Sequence, residues 1–126
     1  MKDVLVDTSV WVGHFRQRNE VLVGLLASDH ALTHPLVLGE LACGTPPARS
    51  RTLGDLALLR QAQQASLPEV MAFIEREALY GLGCGLVDVV LLASTLMTPG
   101  AELWTLDKRL SSLAVRFNVC HRVARH

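Results

Sequence analysis

Three residues make the first commitment to a fold. Val4-Leu5-Val6 is a short, unbroken apolar run that stops abruptly at Asp7-Thr8-Ser9. An apolar triplet without polar alternation suits a strand buried on both faces, the kind found in parallel sheets covered by helices. Asp, Thr and Ser are N-cap residues, so a helix is predicted over 10–16. The same grammar repeats downstream. Helices are predicted over 21–27, over 35–43 with Pro35 in the first turn and Gly44 and Pro46-Pro47 as the stop, and over 49–63. Further helices are predicted around Val70, Phe73, Ile74 and Glu77, and over 86–97 and 108–116. Strands are predicted over 31–33, 102–105 and 118–120. Short strands separated by helices imply an α/β chain with a central parallel sheet covered on both faces. In such sheets ligands bind beyond the carboxyl ends of the strands.

The chain has 126 residues, half of them hydrophobic. That supports one domain over 1–126 with a sizeable core and argues against intrinsic disorder. The longest apolar stretches, such as 86–97, are too short to span a bilayer. The opening Met-Lys-Asp-Val-Leu-Val-Asp is not a signal peptide, so a cytoplasmic protein without membrane association is expected. Three cysteines at wide spacings, with no CxxC, argue against a disulfide framework or zinc ribbon and for reduced, buried thiols. Twelve cations balance twelve acids, so net charge makes no case for nucleic acid. Ten of the cations are Arg, and residues 108–125 carry five cations and no acid. Arg suits bidentate phosphate contact, although a basic stretch is also ordinary solvated surface.

Four carboxylates stand out. Asp7 and Asp107 follow predicted strands, at the edge where open sheets bind ligands, and each is also a natural helix cap. Asp88 lies within Leu86-Val87-Asp88-Val89-Val90-Leu91-Leu92, with Leu91 and Leu92 at i+3 and i+4. Glu40 lies within Leu36-Val37-Leu38-Gly39-Glu40-Leu41, so both are expected on core-directed faces. Buried acids require a compensating cation, either an Arg or a metal. A cluster of the four would attract a divalent ion, and hard ions such as Mg²⁺ and Mn²⁺ take oxygen ligands. Assigning four acids to a metal leaves twelve cations against eight acids, an excess of four that suits a polyanionic substrate.

These residues resemble the PIN-domain ribonucleases, and specifically the VapC-type toxins of bacterial toxin–antitoxin pairs. The likeness runs nearly the full length. It comprises Val-Leu-Val-Asp7-Thr-Ser-Val-Trp, Val37-Leu-Gly-Glu40-Leu-Ala-Cys-Gly44, Gly85-Leu-Val-Asp88-Val-Val-Leu-Leu-Ala93 and Leu103-Trp-Thr-Leu-Asp107-Lys-Arg-Leu110. The resemblance implies a three-layer α/β/α PIN-like fold and a metal site of Asp7, Glu40, Asp88 and Asp107, with Thr8 or Ser9 adding a hydroxyl or backbone contact. It further implies Mg²⁺- or Mn²⁺-dependent cleavage of RNA leaving a 5′-phosphate, a homodimer, and inhibition by a VapB-type antitoxin. Some relatives carry another acid or Asn shortly after the fourth carboxylate. Here Lys108, Arg109, Leu110, Ser111 and Ser112 follow Asp107, so one tightly held ion is expected.

Two other readings compete. In a non-catalytic α/β interaction module the acids would be caps and ion-pair partners. In an aspartyl-phosphate phosphotransferase Asp7 would be the nucleophile, but a DxD pair is broken by Ser9. Trp11 is expected to pack against the sheet. His14, His30, His34, His121 and His126 are expected at the surface or partly buried rather than as ligands. Leu53, Leu56, Leu58 and Leu59 exceed one buried stripe and suggest a docking face. Arg16, Arg18, Arg49, Arg51, Lys108 and Arg109 are candidates for phosphate contact.

Overall fold

The computed structural model describes residues 2–123. Strand β1 (Val4–Val6) is central, with β2 (Ala31–Leu32) and β3 (Glu102–Trp104) parallel on either side. Helices α1 (Thr8–Arg16), α2 (Glu20–Ala27), α3 (Pro35–Ala42), α4 (Arg49–Ala57), α5 (Leu67–Glu77), α6 (Leu86–Met97) and α7 (Lys108–Arg116) flank the sheet in a three-layer α/β/α arrangement. Helices α1, α3 and α4 pack successively on one another, as do α5, α6 and α7. No helix is long and apolar enough to cross a membrane among the described residues.

Two predicted elements differ. The fourth helix ends at Ala57 rather than continuing to residue 63. Residues 60–62 are recruited by the sheet instead: Thr33 N–H donates to the Arg60 carbonyl at 2.9 Å, and Ala62 N–H to the Thr33 carbonyl at 3.0 Å. The exposed edge beyond β2 thus gains partners that a longer helix would deny it. The final strand shrinks to one parallel bridge, Leu103 to Cys120, which covers the outer edge of β3. Arg125 of the basic stretch lies outside the described residues.

The core is built from the expected stripes. Leu5, Leu32, Leu91, Leu92, Leu103 and Leu110 are fully buried, and Trp11 packs among them as expected. Each buried Leu contributes about 1.5–3 kcal/mol. Leu56 is buried while Leu53 and Leu59 pack partly against the core, so of that quartet only Leu58, 84% exposed, is left for docking. The three cysteines are free, but Cys43 is exposed and Cys84 and Cys120 are half-buried rather than buried.

His34 corrects another expectation: it is buried. It is the N-cap of α3, where its Nδ1 accepts the Leu36 N–H at 3.0 Å. The proton of the neutral ring therefore sits on Nε2, 3.2 Å from Ser94 Oγ on α6, which ties the two helices together. Burial holds the imidazole below its ordinary value of 6.5, because a charged ring would lose hydration and Nδ1 would need to protonate against a donor. The unfolded chain binds the proton more readily, so this contribution is complete above pH 6.5 and is lost as pH falls below it. The thermal midpoint should drop on acidification below pH 6.5, and His34→Asn, which keeps a capping acceptor, should flatten that slope.

At the opposite edge of the sheet, Asp3 accepts from Arg60 Nη2 and is paired with His30 Nδ1, both at 2.9 Å. Arg60 also pairs with Asp29. These contacts hold the Asp3 carboxyl below its usual range and clasp β1 to the segments before β2 and after α4.

Candidate functional site

Because β1 and β3 are parallel neighbours, the residues that follow them leave the sheet at the same edge. Asp7 N–H donates to the Trp104 carbonyl at 2.9 Å, joining the two strand ends. Asp7 occupies the N-cap position of α1, yet its side chain makes no capping bond. Its Oδ2 instead accepts from Ser9 Oγ and Thr105 Oγ1, each at 2.8 Å, and the residue is 6% exposed. Those hydroxyls are fixed in turn. Leu106 N–H donates to Ser9 Oγ, and Asp107 N–H donates to Thr105 Oγ1, both at 3.0 Å. One network therefore sets both Asp7 and the start of the Asp107 turn.

Asp107 does cap a helix: Oδ1 accepts the Arg109 and Leu110 N–H groups at 2.9 and 3.0 Å. Among the described residues its Oδ2 accepts no hydrogen bond, which leaves it for other work. Asp88, half-buried in the first turn of α6, reaches back to the Gly85 N–H at 3.3 Å. Burial pushes its carboxyl above the usual 3.8. The Gly85 bond opposes that, and the charges of Asp7, Asp107 and Glu40 add to the rise. Asp88 thus feels all three other acids. Burial pushes the adjacent Cys84 thiol up as well, assisted by Asp88 and Asp107.

Glu40 departs from expectation. It is exposed on the flank of α3, because the helix buries Val37 and Leu41 and this stripe turns Glu40 aside. It nevertheless joins the group: Thr8 Oγ1 donates to Glu40 Oε1 at 2.7 Å. None of the ion pairs among the described residues involves Asp7, Glu40, Asp88 or Asp107. Among the described residues, no guanidinium forms an ion pair with the cluster.

Among the described residues, no three His, Cys, Asp or Glu side chains lie close enough together to hold one metal ion directly. The carboxylates face each other at electrostatic range, not contact range. The donor chemistry still fits a hard divalent cation. The donors are carboxylate oxygens, and Mg²⁺ keeps several of its waters, which can bridge to acids that do not touch one another.

The turn entering α6 is shaped by a cation. Arg109 lies against Gly83, whose φ is +84°, and a Cβ there would come within 2.8 Å of Arg109 Cδ. The left-handed φ favours glycine at position 83, whereas the Arg109 side chain could shift to admit a Cβ. Thr105 is the residue that sequence reasoning missed. The signal was a hydroxyl at a strand end, two residues before an acid. Thr105→Val keeps the shape but removes the bonds to Asp7 and Asp107. Any activity that depends on these acids should fall roughly 10–100-fold, the scale for losing a group that orients a metal-site ligand. Turnover measured beside a thermal melt checks this.

A PIN domain family model matches residues 4–116. The chain is also 44% identical over 116 residues to Ribonuclease VapC32 of Mycobacterium tuberculosis, from both the CDC 1551 / Oshkosh and the ATCC 25618 / H37Rv strains. The match covers 92% of this chain and 94% of that protein. With the parallel sheet and the acids at its carboxyl edge, these likenesses show that the chain belongs to the PIN-domain family and, within it, to the VapC-type ribonucleases.

Proposed function

We propose that this chain is the endoribonuclease toxin of a toxin–antitoxin pair, a single domain over 1–126 that hydrolyses RNA at Asp7, Glu40, Asp88 and Asp107. The observation that carries this reading is the convergence of four acids from four elements at one sheet edge, with no cation paired to them among the described residues. Asp7, Asp88 and Asp107 would hold a Mg²⁺ or Mn²⁺ ion largely through its waters, and Glu40 would orient those waters. When bound, such an ion activates water and neutralises the charge that develops on a phosphodiester.

The chain's own groups do the rest. Ser9 and Thr105 keep Asp7 aimed through the two hydrogen bonds that they donate to its Oδ2. Thr8 fixes one Glu40 oxygen and leaves the other for a water. Arg16, Lys108 and Arg109 are cations on the surrounding surface, where they can hold the flanking phosphates. Attack by water in line with the departing 3′-oxygen breaks the P–O3′ bond and leaves a 5′-phosphate on the downstream fragment.

The partner that silences this activity is a VapB-type antitoxin, the assembly is a homodimer and the compartment is the cytoplasm. Incubation with total RNA tests the core of the reading. Cleavage is expected with Mn²⁺ and not with chelator, and Asp88→Asn should be inactive. Cleavage that persists in chelator, or in Asp88→Asn at matched Mn²⁺, would remove the four-acid site from the reaction.

A further inference from the structure

The acidic cluster has a neighbour that the chemistry at phosphorus does not use. A cavity of about 370 Å³ opens between α1, α3 and the segment joining α3 to α4, and two of its wall residues, Thr8 and Glu40, belong to the cluster. The rest of the lining is different in kind. Val12 and Phe15 of α1, Leu41 of α3, and Pro46 and Pro47 of the joining segment form an apolar surround, with the cation Arg16 beside them. On the understanding that the cluster cleaves RNA, we infer that this cavity is a subsite for one unpaired base of the RNA, next to the scissile phosphate.

Three features favour that occupant. The first is continuity: Thr8 Oγ1 bonds Glu40 across the shared wall, so a strand whose phosphate lies against the acids has its neighbouring nucleotide at the cavity mouth. The second is chemistry. An apolar lining with an aromatic ring accepts the face of a base, and a base offers a face whatever its identity. Arg16 supplies a charge for the adjoining phosphate, which an apolar peptide segment would not need. The third is size and rigidity. The volume is at the low end for small-molecule sites, roughly 300–1,000 Å³, and suits one planar group rather than a helix. The outer wall is fixed: Arg49 donates from Nη2 to the Ala42 carbonyl at 2.6 Å and from Nε to the Gly44 carbonyl at 3.2 Å, and two prolines follow. Arg49 is thus a positioning residue for the wall rather than a phosphate ligand.

The test uses a short oligoribonucleotide that the wild-type protein cleaves with Mn²⁺. Abasic nucleotides are placed one at a time on either side of the cut. One position should stand out, its loss lowering kcat/KM roughly 5- to 150-fold, the range for one base-stacking contact. Val12→Trp, at a partly exposed site, should fill the cavity and give a similar loss on intact RNA. On the RNA abasic at the sensitive position, variant and wild type should cleave alike. A flat abasic scan, or a Val12→Trp effect that persists on that abasic RNA, overturns the subsite and leaves the nuclease reading standing. Unchanged RNA cleavage by Val12→Trp together with lost binding of a VapB-type antitoxin makes the cavity a protein-docking site and also overturns it. No cleavage of any RNA by the wild type overturns both. The abasic scan needs no variant, so misfolding of Val12→Trp does not spare the inference.

Discussion

Asp7→Asn is expected to lower RNA cleavage on the order of 10³-fold or more, with the folded state intact. A bound divalent ion is worth several kcal/mol of transition-state charge stabilisation, and about 1.4 kcal/mol corresponds to each tenfold in rate. Asn preserves the shape of a residue that is 6% exposed, and its Oδ1 can accept from Ser9 and Thr105 as Asp7 Oδ2 does. What it removes is charge. In chelator the variant should melt no lower than wild type, because one of four mutually repelling acids is gone. With Mn²⁺ the two should part. The wild type should gain stability by ligand linkage, about 2.7 kcal/mol when the free ion is at 100 times its Kd, and the variant should gain much less. Thermal melts with and without Mn²⁺, read beside turnover on one RNA, make the comparison. Activity within tenfold of wild type at matched Mn²⁺ would show that Asp7 is not part of the machinery.

Local signals were the ones that could be read from the sequence. β1 and the break at Asp7 are written in six consecutive residues, and Pro35 and Asp107 mark helix starts where their own backbone chemistry puts them. Asp107 shows that a cap and a site residue need not be alternatives, since one carboxylate oxygen caps α7 and the other is spared. What was not legible depended on partners distant in sequence. The apolar pattern of α4 runs past Ala57, but the unpaired edge at Thr33 captures residues 60–62. Glu40 has apolar residues one turn before it, yet the buried stripe is Val37 and Leu41, and only the packing of α3 on α1 settles which way that stripe turns. His34 looked at most partly buried because its partner, Ser94, is 60 residues away.

Helix α6 offers the sharpest separation of stability from chemistry, because Asp88 and Leu91 are one turn apart. Leu91 is fully buried, and Leu91→Ala should cost about 2.7–5 kcal/mol from lost transfer energy and the cavity left behind. At roughly 3–5 °C per kcal/mol for a chain of this size, the thermal midpoint should fall by about 10 °C or more. Below that midpoint kcat on RNA should stay near the wild-type value, since no group at the acidic edge has changed. Asp88→Asn should do the reverse. Its carboxyl is disfavoured as a charge by burial and by three neighbouring acids, and Asn Oδ1 can still accept the Gly85 N–H. In chelator its midpoint should be equal to or above that of wild type, while cleavage is lost. Melts in chelator combined with single-turnover cleavage read both axes. A Leu91→Ala cost below about 1 kcal/mol would contradict the packing around α6. An Asp88→Asn midpoint well below wild type would mean that the charge of that carboxylate stabilises the start of α6, and that the acids at this edge serve the fold before chemistry.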